Sequence, residues 1–194
     1  DLKIRKVLRE KYCFEESDVV FIYAGKIIPE KGPHILVEAA CKLMKEYDNV
    51  KVLLVGNGRS EYIQRIQKII VTNNLEDRFI LHNAVPNKDL FKLYSTADVA
   101  VWPMEASLSM MEAMSCELPV IISDNSEVKK RVQHDNGFTY TYKNPDSLAE
   151  KMELLLNPQK RADMGANGRR YIKEHLSWKV ISGQFIDLIR ECPG

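Results

Sequence analysis

The 194-residue chain lacks a charge bias: 28 Lys and Arg stand against 27 Asp and Glu, for a formal charge of +1. A protein that grips nucleic acid or an anionic membrane through phosphate contacts needs a basic excess, so nucleic acid is excluded as a general partner and any anion site must be local. Cysteine is sparse and scattered. Cys13, Cys41, Cys116 and Cys192 form no C-x-x-C pair and no Cys/His cluster, which excludes the common zinc and dithiol motifs and leaves reduced thiols in a cytoplasmic protein as the simplest reading. The four histidines, His34, His82, His134 and His175, make neither a Ser/His/Asp order nor a His-x-x-x-His pair, so packed or surface histidines are expected rather than catalysts. No apolar run approaches the roughly 20 residues of a membrane span, and the opening Asp-Leu-Lys-Ile-Arg-Lys has no signal-peptide core. A first residue that is Asp rather than Met suits an excised fragment or a processed product. Linkers, low-complexity tracts and internal repeats are absent as well, so residues 1–194 read as a single domain.

What the chain does have is alternation. Short apolar runs at 19–24, 50–55, 79–82, 99–102, 119–123 and 138–142 are continuous in hydrophobicity rather than alternating, which implies strands buried on both faces. Amphipathic segments at 33–44, 61–71, 88–95 and 107–116 follow the first four strands, with a short helix expected around 127–132. Strand, loop, helix is the repeated unit, and it defines an α/β class: a doubly wound parallel sheet covered by crossover helices. After Asn144 the pattern is helical throughout, at 146–156, 159–175 and 178–191. Three extra C-terminal helices exceed what such a sheet needs, and at least one is expected to pack elsewhere.

In open parallel sheets ligands bind outside the carboxyl ends of the strands, which directs attention to the loops after them. The first reads Gly25-Lys-Ile-Ile-Pro-Glu-Lys-Gly32. Two lysines five apart, between glycines that allow tight turns, could converge on a diphosphate; an exposed loop with solubilising lysines is the alternative. The second loop carries Gly56-Asn-Gly58, which permits close approach of a backbone or a ligand but lacks the third glycine of the dinucleotide fingerprint. The third, His82-Asn-Ala-Val-Pro86, has no acidic or ammonium side chain and could read the edge of a base through its backbone. In the fourth, Ser107 or Ser109 can cap a helix whose first free N–H groups favour an anion, and Glu112 one turn inside offers two acceptor oxygens to a vicinal diol such as ribose. A plain helix cap followed by a solvated Glu is the competing reading.

Together, Gly25-Lys-x4-Lys31-Gly32, Leu54-Val-Gly-Asn-Gly58, Leu90-x3-Tyr94-x2-Ala-Asp98, Pro103 with Glu112-Ala-Met114, Leu118-Pro-Val120 and Asn136-Gly-Phe138 resemble the C-terminal half of retaining glycosyltransferases of family 4. The resemblance implies the Rossmann-like, donor-binding half of a GT-B fold. The family's Arg-x4-Lys pair falls on Lys26 and Lys31, which would stabilise the departing diphosphate. Glu112 would bind the ribose, Ser107, Leu108, Ser109 and Met110 would offer backbone amides to the distal phosphate, Val85 would contact the base, and Gly25, Gly56 and Gly58 would shape the loops. The donor implied is a UDP- or GDP-sugar, with no metal and no cofactor, and the reaction is hexosyl transfer with retained configuration. The partner implied is an N-terminal acceptor domain absent from this chain, through which alone the full-length protein would meet a membrane; the isolated half is expected to be inactive.

Two departures from the family pattern matter. The Pro103 to Glu112 segment is about three residues short, so Glu105 does not simply match the first Glu of the paired-glutamate motif. Glu117 stands where the family has Gly, at a left-handed helix terminus that costs a non-Gly residue about a kcal/mol. Outside this family, the alternatives are a dinucleotide-binding oxidoreductase domain, which the broken glycine fingerprint argues against, a nucleotide-sugar epimerase domain, for which no catalytic carboxylate cluster is found, and a binding module with a decayed site.

Overall fold

The computed structural model describes residues 2–191. All six expected strands form: β1 (Val19–Ala24), β2 (Val50–Val55), β3 (Phe79–His82), β4 (Val99–Trp102), β5 (Val120–Ser123) and β6 (Gly137–Tyr140). They make one parallel sheet in the order β3-β2-β1-β4-β5-β6. Every residue of β1, β4 and β5 is buried, as continuous apolar runs between two helical layers require. The register is set from the centre, where β1 pairs Val19 with Val50 on one side and Phe21 with Val99 on the other.

The helices are α1 (Leu2–Lys11), α2 (Pro33–Leu43), α3 (Ser60–Thr72), α4 (Asn87–Thr96), α5 (Leu108–Ser115), α6 (Pro145–Leu154), α7 (Pro158–Tyr171) and α8 (Trp178–Glu191). Helix α2 packs with α3 and α6, while α1 packs on α4, and α5 lies between α4 and α7. The strand order reverses between β1 and β4. Right-handed crossovers therefore place α2 and α5 on opposite faces and open a crevice at the carboxyl ends of those two strands. No helix among the described residues is long and apolar enough to cross a membrane.

Three findings differ from the sequence reading. Helix α1, assigned to no element there, is present and is anchored by two arginines one turn apart. Arg5 donates to the carbonyls of Ser95 and Ala97 and pairs with Asp98 at 2.8 Å, and the buried Arg9 reaches Thr96, Asp98 and the carbonyl of Asp18. The segment expected as helix around 127–132 is a 3-10 turn, Lys129–Val132. The helix expected over 159–175 loses its regular pitch at Ile172–Leu176, a π-type turn that hands the chain to α8. There Tyr171 stacks on His134 with ring centroids 4.6 Å apart. Glu117 does adopt the left-handed conformation, φ 62°, and its carboxylate pairs with Arg169 at 2.9 Å. Cys13 is exposed, Cys41 buried and Cys116 half-buried, all as free thiols; Cys192 lies outside the described residues. Burial pushes the Cys41 thiol up to about 11, which keeps it an inert core residue near neutral pH.

Candidate functional site

The crevice at the switch point is a cleft of about 630 Å³. Its floor is apolar, from Tyr23, Ala24, Val55 and Trp102, with Val85 and Leu90 at one end. Its polar groups come from three loops: Lys26 and Lys31 after β1, Asn57 after β2, and Glu105, Ser107 and Ser109 after β4. An apolar body with a few convergent charges suits a ligand with one flat, apolar part and one anionic part.

Buried and part-buried hydrogen bonds hold the loops in place. The hydroxyl of Tyr23 donates to the Lys26 carbonyl at 2.7 Å, fixing the first residues after β1; its own burial pushes that phenol well above its ordinary value. The Ala24 carbonyl accepts from Trp102 Nε1 at 3.3 Å and from Ser109 Oγ at 3.2 Å, which ties the ends of β1 and β4 across the reversal. Tyr94, buried within α4, donates to the Ser109 carbonyl at 3.0 Å and so orients the first turn of α5. Pro29–Lys31 form a 3-10 turn closed by Gly32 at φ 66°, a left-handed position that glycine takes at no steric cost. This turn returns Lys31 to the cleft that Lys26 also lines. Neither ammonium has a carboxylate within ion-pair distance among the described residues.

Helix α5 starts without a side-chain cap. Ser107 occupies the cap position, yet its hydroxyl pairs with Ser109 Oγ at 2.6 Å rather than with a backbone N–H. The expected Ser cap is thus corrected: the second hydroxyl is a nearer partner, itself turned toward Ala24. Met110 N–H donates to the Ser107 carbonyl at 3.0 Å, so it is no free donor, and its side chain is fully buried. Leu108 and Ser109 keep N–H groups with no acceptor among the described residues, and the Leu108 side chain is 73% exposed. Two ammonium groups and the Ser109 end of an uncapped helix on one cleft, with the free Leu108 N–H next to it in sequence, can neutralise an anion of diphosphate size.

The remaining candidates fall into two groups. Gly25, Gly56 and Val85 line the cleft. Gly58 does not; it forms a β-bridge to Ile27 instead. Glu112, expected at the site, does not line the cleft; it is half-buried on α5 and accepts from Asn87 Nδ2 at 2.8 Å. Glu105, set aside on sequence grounds, lines the cleft. Sequence reasoning missed Asn57, whose side chain accepts from Ala84 N–H at 3.0 Å and pins the loop that carries Val85; its place between two glycines was the only available signal. His82 is a packed residue, edge-on to Tyr12. His34 is half-buried in the first turn of α2 and shares a 2.5 Å hydrogen bond with Tyr62. No group of three or more His, Cys, Asp or Glu side chains among the described residues is arranged to hold a metal ion.

Fold and cleft define a doubly wound α/β domain with a binding crevice at its topological switch point. Comparison with known proteins gives the family: residues 4–171 match the model of the glycosyl transferases group 1, and the chain belongs to that family. It is 24% identical over 200 residues to a GDP-mannose-dependent monoacylated alpha-(1-6)-phosphatidylinositol monomannoside mannosyltransferase of Corynebacterium glutamicum, covering 97% of this chain and 51% of that protein. Among solved structures, the Anabaena protein HepE in complex with UDP superposes with a TM-score of 0.89 at 21% identity, over 99% of this chain and 54% of HepE. The C-terminal domain of the group 1 glycosyltransferase LpcC from Francisella tularensis superposes with a TM-score of 0.76 at 18% identity, over 82% of this chain and 87% of that domain. The chain spans about half the length of the curated relatives it matches.

Proposed function

We propose that residues 1–194 are the donor-binding half of a retaining family 4 glycosyltransferase of GT-B architecture, which uses a UDP- or GDP-sugar to transfer a hexosyl group to an acceptor hydroxyl. The observation that carries this reading is the single cleft shared by Lys26, Lys31 and the uncapped start of α5. In transfer, the bond from the sugar C1 to the distal phosphate oxygen breaks, and negative charge develops on the departing diphosphate. Lys26 and Lys31 stabilise that charge from one side and the N–H groups of Leu108 and Ser109 from the other, so electrostatics at the leaving group does the work. Lys at position 26 is a point charge where the family has a planar guanidinium, and it holds phosphate with less directional constraint. Glu112 receives the ribose hydroxyls, and the backbone around Val85 meets the base. Glu105, on the cleft wall, is the carboxylate available to the sugar.

HepE, with UDP bound, and the GDP-mannose-dependent relative support a nucleoside-diphosphate ligand and bracket the choice of base. The acceptor domain is assigned to the portion of the full-length protein outside this chain. The outward face of α8 supports that assignment: Trp178, Phe185 and Ile189 are 88%, 65% and 63% exposed, an apolar stripe suited to a second domain. The oxidoreductase alternative is disfavoured because Gly58 packs on Ile27, a role within the loops rather than at a pyrophosphate. A thermal-shift panel of UDP-, GDP- and ADP-sugars tests the reading, since a ligand that binds only the folded state raises the melting temperature. One of the UDP or GDP compounds should stabilise the chain; no shift with any of them at millimolar concentration would refute donor binding.

A further inference from the structure

Asn87 is the first residue of α4 and directly follows the loop that carries Val85. Its side-chain amide donates to Glu112 Oε1 at 2.8 Å across to α5. A carboxylate cannot donate, so the assignment of this bond has one direction: Asn87 Nδ2–H to Glu112 Oε1. Among the described residues Glu112 has no ion-pair partner, which leaves this amide as the group that selects its rotamer. A glutamate near a helix surface otherwise samples several rotamers, and ordering it on binding weakens the ligand.

We infer that Asn87 is a positioning residue: it holds Glu112 so that the free lone pairs of the carboxylate face the two ribose hydroxyls, and thereby sets the preference for a ribonucleotide over its deoxy forms. The inference rests on the assignment of Glu112 to the ribose. It also couples two parts of the donor, because the segment that meets the base and the carboxylate that meets the ribose are joined through one amide. Replacing that amide with a carboxylate would set two like charges together and push Glu112 away, an effect that a shared proton relieves at lower pH.

The test is calorimetric titration of the wild type, Asn87→Ala, Asn87→Asp and Glu112→Ala with UDP or GDP, whichever the thermal panel selects, and with its 2′,3′-dideoxy counterpart. Asn87→Ala is expected to weaken the ribonucleotide about fivefold, the worth of one ordinary hydrogen bond, and to leave the dideoxy form unchanged. Asn87→Asp is expected to weaken the ribonucleotide further near pH 7.5 and to recover part of that loss near pH 5.5. Wild-type affinity in Asn87→Ala, with a clear loss in Glu112→Ala, would overturn the positioning role and leave the donor reading intact. Equal losses for both nucleotides in Asn87→Ala would also overturn it, since Asn87 would then act on the base segment or the fold. No loss in Glu112→Ala would remove the ribose assignment together with the inference built on it.

Discussion

Gly58 lies so close to Ile27 that a Cβ at position 58 would sit 1.9 Å from the Ile27 carbonyl oxygen. The same holds one step back, where a Cβ on Gly56 would stand 1.8 Å from the carbonyl oxygen of Gly25. The Gly-x-Gly after β2 thus lets the second loop press against the lysine loop, extending the β1–β2 ladder by the Ile27–Gly58 bridge. Gly58→Ala must displace backbone on one side, at a cost of about 1–3 kcal/mol, and it should also loosen nucleotide binding by moving Lys26. Urea denaturation with a parallel nucleotide titration checks both parts.

Arg9 is 2% exposed and donates to the carbonyls of Thr96 and Asp18 and to the Asp98 carboxylate. Asp98 in turn accepts from Val20 N–H at 2.8 Å. Removing the guanidinium takes a donor from the buried Thr96 and Asp18 carbonyls, while Asp98 keeps Arg5 and the Val20 N–H; breaking a buried pair typically costs about 3–5 kcal/mol. Arg9→Ala should lower chemical stability by an amount in that range and free α1, which limited proteolysis would register as early cleavage before residue 19.

These two features mark where the sequence was and was not legible. The six strands could be read because burial on both faces forces unbroken apolar runs, and the crevice followed from the α/β pattern. Helix α1 could not, because more than half of LKIRKVLREK is charged and its anchor, Asp98, lies about 90 residues away. The lysine loop and the start of α5 stand in the sequence as separate motifs. What no local pattern displays is how they share a cleft, which depends on Trp102 and Ser109 bonding to the Ala24 carbonyl across the strand reversal, with Tyr23 and Tyr94 fixing the lysine loop and the first turn of α5. The serine cap failed because Ser107 and Ser109 bond to each other, a competition that spacing alone does not decide.

The apolar stripe on α8 gives a third expected outcome. Phe185 and Ile189 stand one turn apart and both are largely exposed, so the chain by itself should self-associate at high concentration. Phe185→Ser with Ile189→Ser should shift sedimentation velocity profiles toward monomer and leave nucleotide affinity unchanged.

His34 supplies a pH dependence. Burial lowers its pKa below the ordinary 6.5, opposed by Glu38 and aided by Arg65 and Lys143. The unfolded chain then takes up the proton first as pH falls, so the stability present above 6.5 declines as pH drops through 6.5 toward the folded value, and levels off below it. Replacing His34 with Gln should flatten the fall in melting temperature between about pH 7.5 and 5.5 relative to the wild type.

Donor binding as proposed requires Lys26, Lys31 and the start of α5 to act on one diphosphate. Calorimetric titration of UDP and GDP into the wild type and into Lys26→Ala with Lys31→Ala tests it most directly. Charge-assisted bonds contribute about 1.5–3 kcal/mol each, so the double variant should bind the preferred nucleotide roughly 100-fold or more weakly while retaining its fold by circular dichroism. Unchanged affinity in the folded double variant would contradict the account.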